Sequence, residues 1–199
     1  KDSIQELQEQ LNIGIDSFSR IAIAEPVTYR LIPAKVVQST YQNRNNLFTL
    51  NKGSNDMVTP FSGVISSKGI VGVIKHTSKN YASGLSILHS EQSASVVIDS
   101  LKEVGFLQWD FKDHTLAKLE FIPRHVKAKV GQTVSVSHLS YVFPEGTPVG
   151  EIVNVQKNEG SAHLDITVKL YEDLRNLKHV YVVKNLGDQE KKELEEKTN

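Results

Sequence analysis

Seven histidines give the sequence its first candidates for chemistry, because an imidazole can ligate a metal or carry a proton near neutral pH. His76, His89, His114, His125, His138, His163 and His179 are scattered, with none of the HxH or HExxH spacing that places two ligands on one face of an element. No metal site is predicted. His76 with Asp99 or Asp110 has an order that a Ser-His-Asp triad tolerates, yet no serine sits in a glycine-flanked turn whose backbone N–H groups would form an oxyanion hole. Ser137, the nearest candidate, lies in Val136-Ser137-His138-Leu139-Ser140. Cysteine is absent, which removes thiolate ligands, thiol nucleophiles and disulfides together. Neither a Gly-x-Gly-x-x-Gly nor a Walker pattern occurs, so no phosphate cradle is expected. Lys plus Arg equal Asp plus Glu at 23 each, which denies the chain the field that draws proteins to nucleic acid. Arg124-His125-Val126-Lys127-Ala128-Lys129 is the one basic cluster; it carries no aromatic and reads as a solvated edge strand. The residues argue for no enzyme and no cofactor.

The elements that would carry any site are short β-type runs between turn residues. They fall at Ala34 to Ser39, Leu47 to Asn51, Gly63 to Ser66, Ile70 to His76, Ser86 to Leu88, Ser95 to Ile98 and Phe106 to Phe111. Leu116 to Phe121, Thr133 to Val136, Val149 to Gln156, Ala162 to Leu170 and Val180 to Val183 follow, with one helical turn expected at Glu172 to Asn176. The spacing leaves no room for helical crossovers, so the fold class is all-β and antiparallel. Gly69-Ile70-Val71-Gly72-Val73-Ile74 and Gly146-Thr147-Pro148-Val149-Gly150-Glu151-Ile152 share a Gly/Val-Gly-x-Ile frame. Each follows a Gly-led turn and a Val-containing strand, Gly53 to Val58 and Gly131 to Val134, which predicts two β units of one plan.

The expected layout is two small six-stranded barrels in tandem, 34–113 and 114–186, with insertion of one in the other as the alternative. Before them, Ile4, Leu7 and Leu11 form the apolar seam of a coiled-coil end over 1–12, a dimerisation element, and 13–33 reads as a linker. The segment 187–199 holds a single apolar residue and reads as a disordered tail.

Several segments in fixed order carry a resemblance: Asn46 to Gly53 with Asp56-Met57-Val58, then Gly69 to Ile74, Val130 to Val134, and Phe143-Pro144-Glu145-Gly146-Thr147-Pro148-Val149-Gly150. From about Ile32 to Val183 the chain resembles the rod shape-determining MreC family. Gly105 to Asp110 and Ile122 to Val126 are similar to its Bacteroidetes-like branch. Gly53, Val58, Gly69, Val71, Gly72, Gly131, Val134, Phe143, Pro144, Gly146, Pro148 and Gly150 fall on the family motifs as structural residues. One turn departs, since Gly131-Gln132-Thr133-Val134-Ser135-Val136-Ser137-His138 lacks the family's acid, Thr and last Gly, and must be built differently.

The resemblance implies a single-pass bacterial inner-membrane protein whose periplasmic part is this region, the membrane helix lying upstream of Lys1. It implies a scaffold of the cell-elongation machinery that self-associates as a dimer or filament. The implied partners are the class B penicillin-binding transpeptidase and MreD, with MreB reached indirectly. The expected mode of binding is strand addition to exposed edges, or packing of aromatic anchors among Phe61, Trp109, Tyr141 and Phe143. Rival readings are a degenerate chymotrypsin-like two-barrel protein and a murein-binding β module.

Overall fold

The computed structural model describes residues 29–186. The helix seam at Ile4, Leu7 and Leu11, most of the 13–33 linker and the 187–199 tail lie outside the described residues. Both barrels belong to one compact unit, Leu31–Lys184.

The strands are β1 (Tyr29–Ser39), β2 (Asn45–Leu50), β3 (Gly63–Ile65), β4 (Ile70–Thr77), β5 (Ala82–His89) and β6 (Ser93–Ile98). They continue with β7 (Glu103–Gln108), β8 (Leu116–Glu120), β9 (Thr133–Val136), β10 (Pro148–Gln156), β11 (Asp165–Leu170) and β12 (His179–Asn185). They close into two six-stranded barrels, β1-β12-β3-β4-β5-β2 and β10-β11-β8-β7-β6-β9. Alternation fixes the inside of each. In β2 Asn46, Phe48 and Leu50 point in, and in β9 Val134 and Val136 do, leaving Asn45, Leu47 and Thr49 of β2 and Thr133 and Ser135 of β9 outside.

Three expectations are corrected. The barrels do not divide in tandem at Asp113 but take the alternative of insertion: β6 and β7 precede that residue yet belong to the second barrel, and β12 returns from beyond it to close the first. A barrel needs its last hydrogen-bonded seam filled. Here the seam between β1 and β3 is filled by a strand more than a hundred residues downstream, a distance no local pattern signals. The 13–33 linker ends early because β1 starts at Tyr29. Glu172 to Asn176 is a turn held by the Asp173 carboxylate rather than a helix.

The two barrels follow one plan. With β12 placed ahead of β1, the order β12, β1, β2, β3, β4, β5 traces the same ring as β6 to β11. Gly72 and Gly150 are then equivalent, Val64 and Val134 pair with them in register, and a bulge follows each two residues on, at Ile74/His76 and Ile152/Asn154. The strand equivalent to β9 is thus β3, not Gly53 to Val58. A Cβ on Gly72 would lie 2.1 Å from the Leu85 carbonyl oxygen, and one on Gly150 would lie 2.2 Å from that of Lys169. Both strands cross too close for a side chain.

The cores invert one size relation. Phe48 faces Gly84 in the first barrel where Ala117 faces Val168 in the second. The Phe48 ring reaches over Gly84 to Gly72, while in the second barrel the Val168 methyl itself covers Gly150.

Candidate functional site

The motif residues do structural work. Gly53 lies where a Cβ would meet the Ser78 and Lys79 carbonyls at 2.2 and 2.6 Å, and Gly69 lies against the Pro148 carbonyl of the other barrel. Gly131 and Gly146 hold φ of 89° and 76°, the left-handed region that glycine enters without penalty. Val58, Val71, Val134 and Phe143 are core, Pro144 is buried beside them, and Pro148 opens β10 on the surface.

The departing turn is rebuilt from elsewhere. Lys129 N–H donates to Gln132 Oε1 at 2.7 Å, and Gln132 Nε2 donates to Ser100 Oγ at 2.6 Å. Asp99, at the end of β6, accepts the hydroxyls of both Thr133 and Ser135. The turn is thus held by the Gln132 side chain and by the carboxylate that follows β6.

Of the four aromatics expected as anchors, two are corrected. Trp109 is 5% exposed, its Nε1 donating to the Asp113 carbonyl at 2.9 Å and its ring edge-on to Phe111 at 5.4 Å. Phe143 is buried where it closes the junction between barrels, its ring against Gly63. Phe61 and Tyr141 are 77% and 72% exposed. Phe61 also holds φ 66°, a strained backbone for a bulky side chain, with no ring contact among the described residues.

A second aromatic face escaped the sequence reading. On the outside of the second barrel Phe106 on β7 stands directly across from Glu120 on β8. Phe121 follows at φ 66°, with its ring edge-on to Phe106 at 5.9 Å and to His163 at 5.7 Å. Phe106 and Phe121 are exposed, yet rings of this size are ordinarily withdrawn from water. Beside them runs a groove of about 350 Å³ lined by Lys118, Leu119, Glu120, Phe121, His163, Leu164 and Asp165. Lys118 Nζ is paired with Asp165 Oδ1 at 2.6 Å and also donates to Thr167. One signal was legible: Gly105, Leu107 and Trp109 point inward, which turns Phe106 outward.

The basic cluster lies on the loop between β8 and β9, not on an edge strand, and closed barrels have no edge for its lysines to protect. Arg124 Nη1 instead donates to the carbonyls of Asn158 and Ser161, tying that loop to the one between β10 and β11. Ser137 is fully buried with its hydroxyl on Ser95 Oγ at 2.7 Å, so it offers no nucleophile to a substrate. Among the described residues no group of three His, Asp or Glu could hold a metal ion, and no helix is long and apolar enough to cross a membrane.

Comparison with known proteins places this geometry. The family model described as rod shape-determining protein MreC, barrel core, matches residues 36–184. The chain is 28% identical to the cell shape-determining protein MreC of Listeria monocytogenes over 163 residues, 80% of this chain and 55% of that one. It spans 55% to 65% of the length of the curated relatives it matches. A solved MreC structure from Listeria monocytogenes has a TM-score of 0.73 at 23% identity, covering 92% of this chain and 91% of that one. A complex between a penicillin-binding protein, PBP2, and MreC from Helicobacter pylori gives 0.64 at 20% identity, covering 79% and 99%. These likenesses carry the two-barrel fold. With the barrel-core match running along both barrels, the chain belongs to the rod shape-determining MreC family.

Proposed function

We propose that this chain is a non-catalytic periplasmic scaffold of the cell-elongation machinery, and that it docks a class B penicillin-binding transpeptidase on the Phe106–Phe121–His163 face. The observation that carries the reading is that face: two exposed phenylalanines, one with a strained backbone, beside a groove on a closed barrel. Closure removes strand addition as a binding mode, so recognition falls to side chains. The relative from Helicobacter pylori, solved in complex with a penicillin-binding protein, supports the partner class.

Phe61 and Tyr141 would serve a second partner face, as a scaffold that joins two proteins requires. Self-association through Ile4, Leu7 and Leu11, a single inner-membrane anchor upstream, contact with MreD and an indirect link to MreB complete the proposal. The test is affinity for the periplasmic region of the transpeptidase from the same organism. Phe106→Ala and Phe121→Ala should each weaken it by about thirtyfold, the loss typical of a central aromatic anchor. Unchanged binding by both variants, folded as judged by their melting curves, would refute this placement of the site.

A further inference from the structure

The charges around the groove are unbalanced at one place. Lys118 and Asp165 satisfy each other at 2.6 Å, and the Arg124 guanidinium is committed to two backbone carbonyls. Glu120 is exposed, directly opposite Phe106, and its carboxylate has no hydrogen-bond or ion-pair partner among the described residues. Like charges facing each other across a strand pair are unfavourable. From the Ile166–Leu119 pair, one step along each strand sets Asp165 opposite Glu120 on the outer side, and of these two carboxylates Lys118 is bonded to Asp165 alone. The groove lining therefore carries one uncompensated negative charge, bounded by the rings of Phe121, Phe106 and His163.

Ring faces and a free carboxylate together select a cation that is flat and hydrogen-bonds through its edge. A guanidinium stacks on aromatic faces and presents its N–H fork to a carboxylate, while an ammonium is a compact, strongly hydrated charge. We infer that the groove receives an arginine side chain of the partner, its plane against Phe121 and its N–H groups donating to Glu120. This rests on the docking face proposed above and adds the chemistry of the anchor. Arginine and aromatics are also the residue types that dominate binding energy at interface centres.

The experiment measures affinity between the full chain and the periplasmic region of the transpeptidase at two ionic strengths. Glu120→Gln keeps the shape, removes the charge and should weaken binding about tenfold or more while flattening the salt dependence. Glu120→Lys should weaken it further. Replacing the partner's surface arginines by Glu one at a time should identify one whose loss is rescued by Glu120→Lys. If Glu120→Gln binds like the native chain with the same salt dependence while Phe121→Ala still loses binding, the arginine anchor is wrong and the docking face stands. If Phe106→Ala and Phe121→Ala also both bind normally, the face itself is wrong. Tighter binding by Glu120→Lys would mean an anionic anchor and would overturn the inference.

Discussion

The inverted size relation between the barrels can be tested by a double-mutant cycle at Phe48 and Gly84. Phe48 is 2% exposed, and truncating a buried Phe to Ala costs about 3–5 kcal/mol. A Cβ on Gly84 would lie 2.2 Å from Phe48 Cζ and 2.6 Å from both Phe48 Cε2 and the Val73 carbonyl oxygen. Overpacking costs about 1–3 kcal/mol, and contact with a ring and a carbonyl together puts Gly84→Ala near the upper end, at about 3 kcal/mol. With Phe48 already alanine the ring clash vanishes and only the Val73 carbonyl resists, so the second substitution should then cost about 1 kcal/mol. The double variant should thus be about 2 kcal/mol more stable than the sum of the singles. Urea unfolding followed by the fluorescence of Trp109, the single tryptophan, and by far-ultraviolet circular dichroism gives the four stabilities. Additivity within about 0.5 kcal/mol would show that the ring does not occupy the space over Gly84 and would refute the packing argument.

Phe61→Asn replaces a strained, largely exposed aromatic by a residue that tolerates the left-handed backbone, and should raise stability by up to about 1 kcal/mol, or Tm by about 2–4 °C. A lower Tm would mean that the ring repays its strain within the fold. Asp99→Ala strips the acceptor from the Thr133 and Ser135 hydroxyls and should cost about 1–2 kcal/mol in a urea melt, whereas Asp99→Asn, which keeps an acceptor, should cost less. Hydrogen bonds from the Arg175 side chain, then from Asn176 and the Arg175 backbone, hold the Asp173 carboxyl well below the usual range. A depressed folded-state value gives stability that is present above about pH 4 and lost as pH falls through the folded value. At 33% side-chain exposure this is worth no more than about 1 kcal/mol, so Asp173→Asn should flatten the acid limb of a stability profile by that amount.

Local signals carried most of the strand positions, because alternation and turn residues are written within a few neighbouring positions. The Gly72 and Gly150 echo was legible for the same reason: a strand crossing too close for a Cβ must leave a glycine at the crossing, and both barrels make it. What the echo could not carry was its own frame. Val58 stood at the right distance before Gly69 to pass for the partner of Val134, and only the ladder shows that Val64 holds that place. Burial of aromatics was legible by half. Trp109 lies on the inward side of its strand with Gly105 and Leu107, whereas Phe143 sits in a loop where no periodicity applies and is buried by the other barrel. The Phe106–Phe121 face combines an outward strand position with a left-handed backbone one residue past the next strand; of these, only the first leaves a mark in the residue pattern.

Closure of the first barrel by β12 also bears on how the proposed scaffold can work. Because that strand follows the whole second barrel in the chain, the first barrel cannot complete its ring until the segment carrying the groove has been made and brought back. The barrels are further tied by Gly69 under the Pro148 carbonyl, by Gly63 against Phe143, and by the Ser66 hydroxyl donating to the Glu172 carboxylate. These contacts join the β3–β4 hairpin to the first residue of β10, to the loop before it and to the turn after β11. Through them the second barrel rests on β3 and the turn after it, and β3 is a strand that β12 pairs with in closing the first barrel. Side-chain recognition on closed sheets is the mode that leaves those ladders intact, whereas an added strand would have to open one of them.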